Sequence, residues 1–141
     1  MYFKPLLLPL LAQVLLTFIV LFIVVRKRVN EIKKKKIHPQ RTDVRTHARE
    51  VFKDSEAAAD NYHNQLETPI LFYLAIVIAL MLMLQDYVII ALAWIFVGLR
   101  YIHSIIHITY NRVLHRFGVF VFSSLVLFAL WFRLGWIIIQ S

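Results

Sequence analysis

Four long apolar runs constrain the fold of this chain more than any other feature. They cover residues 5–25, 68–85, 87–111 and 117–139 of a chain of 141 residues. A helix needs about 20 mostly apolar residues to cross the hydrocarbon core of a bilayer, whereas a strand of a membrane barrel is shorter and alternates strictly. The runs therefore predict an all-α integral membrane protein, built as a bundle of four transmembrane helices.

The composition excludes several other classes of protein. Hydrophobic residues make up 60% of the chain and charged residues 17%, whereas a soluble domain is about half apolar and a quarter charged. The chain contains no cysteine. Disulfides, zinc sites with thiolate ligands and cysteine nucleophiles are therefore excluded.

The positive charge is concentrated in one stretch of the chain. Lys and Arg number 16 against 8 Asp and Glu, and eleven of the 16 lie between Arg26 and Lys53. Loops rich in Lys and Arg stay in the cytoplasm, which predicts a cytoplasmic basic loop at 26–45 and both termini outside; in a bacterium this is the inner membrane. Charge beside apolar spans indicates topology and contact with anionic membrane lipids, and no nucleic acid is expected as a partner.

The chain is interpreted as a single membrane domain, residues 1–141. The second helix is expected to begin well before its apolar run, because residues 46–67 contain no Pro or Gly. Pro69 then lies inside that helix and is predicted to bend it, since proline lacks the N–H of a helical hydrogen bond. The expected helices span about 5–26, 46–84, 87–111 and 117–139.

Polar residues near the ends of the second and third runs form two stripes. Asn64 and Glu67 lie three residues apart, and Arg100, His103 and His107 are spaced by three and four residues, so each set occupies one helix face. At about 1.5 Å per residue from the connecting turn, Asn64 lies roughly 32 Å deep and His107 roughly 30 Å. The same count places Glu67 roughly 27 Å and His103 roughly 24 Å deep. The sequence thus predicts one buried polar site facing the cytoplasm.

Two interpretations of this polar site need no anionic ligand. In the first, Glu67 and Arg100 form a structural ion pair that holds two helices together. In the second, His103 and His107 share a metal ion with Glu67 or His63 as a third ligand. Arg100 next to the histidines would repel a cation, so no metal is assigned.

A third interpretation is a site for a polar, anionic ligand. Arg100, Arg112 and Arg116 outnumber the single nearby carboxylate of Glu67. Unbalanced buried positive charge is costly unless an anion or water offsets it. The planar guanidinium group also matches the geometry of a carboxylate.

The same residues resemble a known family. Asn-x-x-Glu at Asn64 and Glu67 opens the second helix, and Arg-x-x-His at Arg100 and His103 lies on the third. Together with the length and the topology, these motifs resemble the MAPEG family, the membrane-associated proteins in eicosanoid and glutathione metabolism. The resemblance spans nearly the whole chain, is most specific at residues 61–72 and 100–116, and indicates a divergent bacterial-type member.

The resemblance implies a homotrimer that binds glutathione as a co-substrate between neighbouring subunits, near the cytoplasmic side. It implies transferase or peroxidase activity on lipophilic small molecules dissolved in the membrane. Arg116 best matches the catalytic arginine that lowers the pKa of the thiol, and Arg112 is the alternative under a shifted alignment. The positions assigned to glutathione binding are Asn64, Glu67, Arg100, His103 and His107.

Two positions depart from the family pattern. His107 stands where the family has a tyrosine, and Asp60 stands where an arginine usually lies four residues before Asn64. The alternative to an enzyme is a membrane protein without catalytic activity. It would bind lipid or a protein partner through the basic loop, with the polar cluster purely structural.

Overall fold

The computed structural model describes residues 4–36 and 51–140. Within these ranges the chain is all-α, and each of four helices is long and apolar enough to cross a membrane. The predicted four-helix membrane fold is therefore confirmed, and the chain is an integral multi-pass membrane protein. The helices are α1 (Lys4–Lys35), α2 (Glu56–Met81), α3 (Tyr87–Ile108) and α4 (Val113–Gln140).

The first two helices differ in length from the sequence expectation. Helix α1 continues through residues 26–35, which were expected to begin the basic loop. Long basic side chains are good helix formers, and the lysines of the last turn lie at the negative end of the helix dipole. Helix α2 begins at Glu56 and not near residue 46. Residues 37–50, which include the rest of the expected loop, lie outside the described residues.

A cluster of polar side chains fixes the segment before α2 against α1. The buried carboxylate of Glu31 accepts a hydrogen bond from Ser55 Oγ at 3.0 Å and one from the backbone N–H of Asp54 at 3.2 Å. Lys35, one turn further along α1, pairs with both Glu31 and Asp54. Because residues 52–55 are held in this turn, the helix of α2 starts only after them.

Helices α2 and α3 form the centre of the bundle. Each of them contacts both α1 and α4. Phe72 of α2 stacks on Phe96 of α3 with ring centroids 4.7 Å apart, and both side chains are fully buried. Close packing of this kind holds membrane helices together, because apolar side chains gain little by leaving lipid for protein. The central pair brings the polar residues of α2 next to those of α3.

Asp86 closes the end of the bundle at the α2–α3 turn. Its Oδ1 accepts a hydrogen bond from the backbone N–H of Ile89 at 2.9 Å, which caps α3. Its Oδ2 accepts a hydrogen bond from Arg133 Nη2 of α4 at 2.7 Å. The guanidinium of Arg133 lowers the pKa of the Asp86 carboxyl group below its usual value. One carboxylate thus starts α3 and ties α4 to the turn.

Substitution of Asp86 separates its two roles. Asp86→Asn keeps an N-cap but loses the ion pair, whereas Asp86→Ala loses both and is expected to unfold about 1 kcal/mol more easily than Asp86→Asn. A folded-state pKa below the unfolded one stabilises the protein above the unfolded pKa, and this stabilisation is lost as the pH falls through the folded pKa. Thermal unfolding in detergent should therefore show wild type above Asp86→Asn at pH 7, and the difference should shrink as the pH falls below about 3.9, the value in the unfolded chain. A difference that persists unchanged at low pH would contradict this assignment.

Candidate functional site

A buried arginine lies at the centre of the polar region between α2 and α3. Arg100 is fully buried, and its Nη2 donates a hydrogen bond to the backbone carbonyl of Asn64 at 2.7 Å. Its Nε and Nη1 have no partner among the described residues. A buried guanidinium with free N–H groups is unfavourable. The position is therefore incomplete without an acceptor from outside these residues.

Two histidines continue the same face of α3. His103 and His107 are 2% and 1% exposed, and their ring centroids lie 5.7 Å apart. His103 Nδ1 donates to the carbonyl oxygen of Arg116 at 3.2 Å, so its Nε2 is an acceptor, and this atom has no partner within the described ranges. His107 Nε2 accepts from Arg116 Nη1 at 3.2 Å, so its unpartnered Nδ1 carries a hydrogen.

Arg116 reaches the histidines from the first turn of α4. The connection from α3 contains Asn111 in a left-handed conformation with φ of 45°, which asparagine adopts more readily than most residues. The Oδ1 atom of Asn111 accepts a hydrogen bond from Arg116 Nη1 at 2.9 Å. Arg116 is thus held by the turn and by α3 while its side chain stays partly exposed.

A cavity of about 190 Å³ opens beside these groups. Its polar side is formed by Asn64, His103 and Arg116, and its other side is apolar, with an exposed phenyl ring at Phe117. The arrangement can hold a polar or anionic atom next to a cation while the apolar part of a ligand contacts phenyl rings. The lining residues are Asn64, His103, Val113, Arg116, Phe117 and Phe120.

Two of the residues expected in the site are exposed, and their side chains make no hydrogen bond to the buried cluster among the described residues. Glu67 is exposed, and its carboxylate pairs with His63 Nε2 at 2.9 Å and not with Arg100. Arg112 is exposed as well. Across residues 4–36 and 51–140, no group of three His, Cys, Asp or Glu side chains is placed to hold a metal ion. The structure brings together Asn64, Arg100, His103, His107 and Arg116.

The relative level of α2 and α3 differs from the depth estimate. The estimate places Asn64 level with His107, whereas its carbonyl lies against Arg100. Residues 82–86 are not helical, and Met83 takes a left-handed conformation with φ of 54°. Counting a full helical rise through this turn exaggerates the depth of residues on α2.

A second polar cluster was not found from the sequence. Gln13 Nε2 donates to Gln65 Oε1 at 2.9 Å, which joins α1 to α2. Gln65 Nε2 donates to Ser104 Oγ at 2.8 Å and, more weakly, to Asn61 Oδ1 at 3.4 Å. Ser104 Oγ donates to Asn61 Oδ1 at 3.1 Å. We call these four buried side chains the amide network. The sequence contains one sign of this cluster: Gln13 is one of two polar residues in the first apolar run, and a buried amide in a membrane helix needs a partner.

Replacement of Arg100 by methionine tests whether its charge is uncompensated in the free protein. Exchange of buried ionic groups for apolar ones is often neutral or stabilising by about 1–4 kcal/mol. We therefore expect Arg100→Met to unfold at or above the wild-type temperature in ligand-free detergent. The exposed pair provides a control, because Glu67→Gln should change the free energy of unfolding by at most about 1 kcal/mol. Marked destabilisation by Arg100→Met would show that the guanidinium has further partners besides the Asn64 carbonyl.

Comparison with known proteins identifies one family. The model of the MAPEG family matches residues 6–136, nearly the whole chain. This match confirms the resemblance seen in the motifs, and it includes every residue of the site and of the amide network. Searches of curated proteins and of solved structures gave no match.

Proposed function

The chain belongs to the MAPEG family, and from this membership we propose that it is a glutathione-dependent transferase or peroxidase acting on lipophilic electrophiles or hydroperoxides in the membrane. The observation that carries the proposal is the buried guanidinium of Arg100, whose Nε and Nη1 have no partner among the described residues. A carboxylate of glutathione supplies the missing acceptors in the planar geometry that arginine favours.

Binding of glutathione is assigned to side chains of α2 and α3. Arg100 receives a carboxylate, and the Nδ1–H of His107, which has no partner among the described residues, adds a donor on the same face. Asn64 lines the cavity beside them. The exposed carboxylate of Glu67 pairs with His63 in the free chain and is assigned to the ammonium group of glutathione in the complex. The ligand would thus lie along the α2–α3 interface with its thiol directed towards α4.

The thiol end of glutathione is assigned to the cavity beside Arg116. A nearby cation lowers the pKa of a thiol, and the thiolate is the nucleophile. Arg116 supplies the cation, and His103, which also lines the cavity and whose Nε2 has no partner among the described residues, takes the thiol proton. In conjugation the sulfur then forms a bond to the electrophilic carbon, and the displaced group leaves with the electron pair of the broken bond. Phe117 and Phe120 contact the apolar part of the second substrate.

The cavity within one chain holds only part of this ligand. Its volume is about 190 Å³, whereas sites that enclose a drug-sized molecule measure about 300–1,000 Å³. We assign the rest of the site to a neighbouring copy, in the homotrimer that the family resemblance implies. Glutathione then binds between subunits and enters from the cytoplasm, while the second substrate arrives through the lipid.

Glutathione binding and the role of Arg116 are tested together in purified protein. Millimolar glutathione should raise the unfolding temperature of the wild type by mass action. Arg116→Ala should lower the conjugation rate about 100-fold and remove the ultraviolet absorbance of bound thiolate. Arg112→Ala is the matched control, because it removes the same charge one turn away and outside the cavity, and it should retain both signals.

Two results would contradict this assignment. If wild type gains no thermal stability from glutathione, the enzyme proposal is wrong and the remaining function is binding of lipid or a partner through the basic stretch. Equal loss of rate in Arg112→Ala and Arg116→Ala would show that the arginines act through general charge and not through the cavity.

The orientation of the bundle is a further part of the proposal. We assign the exposed lysines at the end of α1 to the cytoplasm, together with residues 109–112, and both termini to the outside. The chain has no cysteine, so single cysteines report orientation without background. An impermeant maleimide should label Gln85→Cys in intact spheroplasts and Lys34→Cys only after lysis. The reverse pattern would overturn this orientation.

A further inference from the structure

The amide network lies directly beside the candidate site. Gln65 follows Asn64, whose carbonyl accepts the hydrogen bond of Arg100. Ser104, which bonds Gln65 at 2.8 Å, follows His103 on α3. The two clusters therefore share neighbouring residues on both α2 and α3, although no side chain belongs to both.

Both clusters occupy the same face of α3. Arg100 and Ser104 are one helical turn apart, as are Asn61 and Gln65 on α2, so each pair lies on one side of its helix. The Arg100–Asn64 bond and the bonds of Ser104 consequently lie at adjacent levels of one interface. A rotation of α3 that breaks the network would also carry Arg100 away from the Asn64 carbonyl.

The first helix is tied to both of its neighbours at this level. Gln13 Nε2 donates to Gln65 Oε1 of α2 at 2.9 Å. Tyr101 OH of α3 donates to the backbone carbonyl of Ala12 at 2.8 Å. Successive residues of α1 thus bond to α2 and α3, and three helices share one set of directional contacts.

Hydrogen bonds between helices fix the rotation of a helix about its axis more strictly than apolar packing does. In lipid, an apolar side chain is nearly as stable against the bilayer as against another helix, so the hydrophobic effect distinguishes poorly between rotations. A buried amide that loses its partner remains unsatisfied in an environment without water. The hydrogen bonds of the network are therefore the contacts most sensitive to the rotation of α3.

We propose that the amide network is a positioning device that sets the rotation of α3 against α2 and α1. It holds Arg100, His103 and His107 towards the candidate site, and its own four residues act through α3 without touching the ligand. The inference rests on the proposed function where glutathione is the readout, but the rotation itself is independent of any ligand.

Ligand affinity provides the first test. Ser104→Ala removes the hydroxyl that links Gln65 to Asn61 and should raise the Kd for glutathione about 3- to 10-fold, measured well below the unfolding temperature. Ser104→Thr keeps a hydroxyl and should restore wild-type affinity. Ser123→Ala is the matched control, because the buried Ser123 hydroxyl donates to the Phe120 carbonyl at 2.8 Å, within α4 itself and outside the amide network.

A second variant tests the network independently, in case Ser104→Ala does not fold. Gln13→Met removes the link from α1 at similar side-chain length, leaves the Ser104 bonds in place, and should also raise the Kd. Wild-type affinity in both variants would overturn the proposal. So would an equal loss in Ser123→Ala, since that residue lies outside the network.

The rotation of α3 is measured directly with spin labels. Ile102 and Ile105 are 49% and 58% exposed on the lipid side of α3, and the chain has no native cysteine. Ile102→Cys and Ile105→Cys, labelled one at a time, report oxygen accessibility at two edges of that face. In the Ser104→Ala background we expect accessibility to rise at one position and fall at the other. If the ratio of the two oxygen accessibilities does not change, the positioning role is overturned, whether or not glutathione binds. If the wild-type protein does not bind glutathione, only the proposed function is contradicted.

Discussion

Water is absent from the hydrocarbon layer, so a polar side chain buried in this bundle must be satisfied by another helix or by a ligand. The amide network meets most of this requirement internally, through bonds of 2.8–3.4 Å among three helices. Arg100 meets it only in part, through one bond to a backbone carbonyl of α2. The two neighbouring clusters therefore differ in role. The amide network is a structural contact between helices, whereas Arg100 lacks hydrogen-bond acceptors.

A carboxylate with several polar partners also joins helices at each end of the bundle. Glu31 is buried where α1 meets the start of α2, and it is satisfied by Ser55, Asp54 and Lys35. Asp86 serves the opposite end by capping α3 and pairing with α4. One cluster thus joins α1 to the start of α2, and the other joins α4 to the start of α3, while the hydrogen bond of Arg100 sets α3 against the turn of α2 that carries Asn64.

Much of the site was predictable from spacing, and the exceptions have physical causes. The polar positions of α3 recur every three to four residues, which places them on one face in any α-helix. Glu67 fits the same rule on α2 but lies exposed beside His63, because a helical pattern fixes which residues share a face and not what that face contacts. The first helix extends beyond its apolar run, because a charged stretch can remain helical outside the bilayer when another segment packs on it. Here Ser55 donates a hydrogen bond to Glu31 of that stretch.

The sequence by itself determined that the chain crosses a membrane four times as helices, which residues share a face of α3, and which family it belongs to. These properties depend on hydropathy and helical periodicity, and both are local along the chain. Only the tertiary structure decided that Arg100 meets Asn64 and that Gln13, distant in sequence, bonds to Gln65. The reason is that the level of one helix against another depends on turn geometry and on side-chain hydrogen bonds across the interface. No pattern within a single helix contains that information.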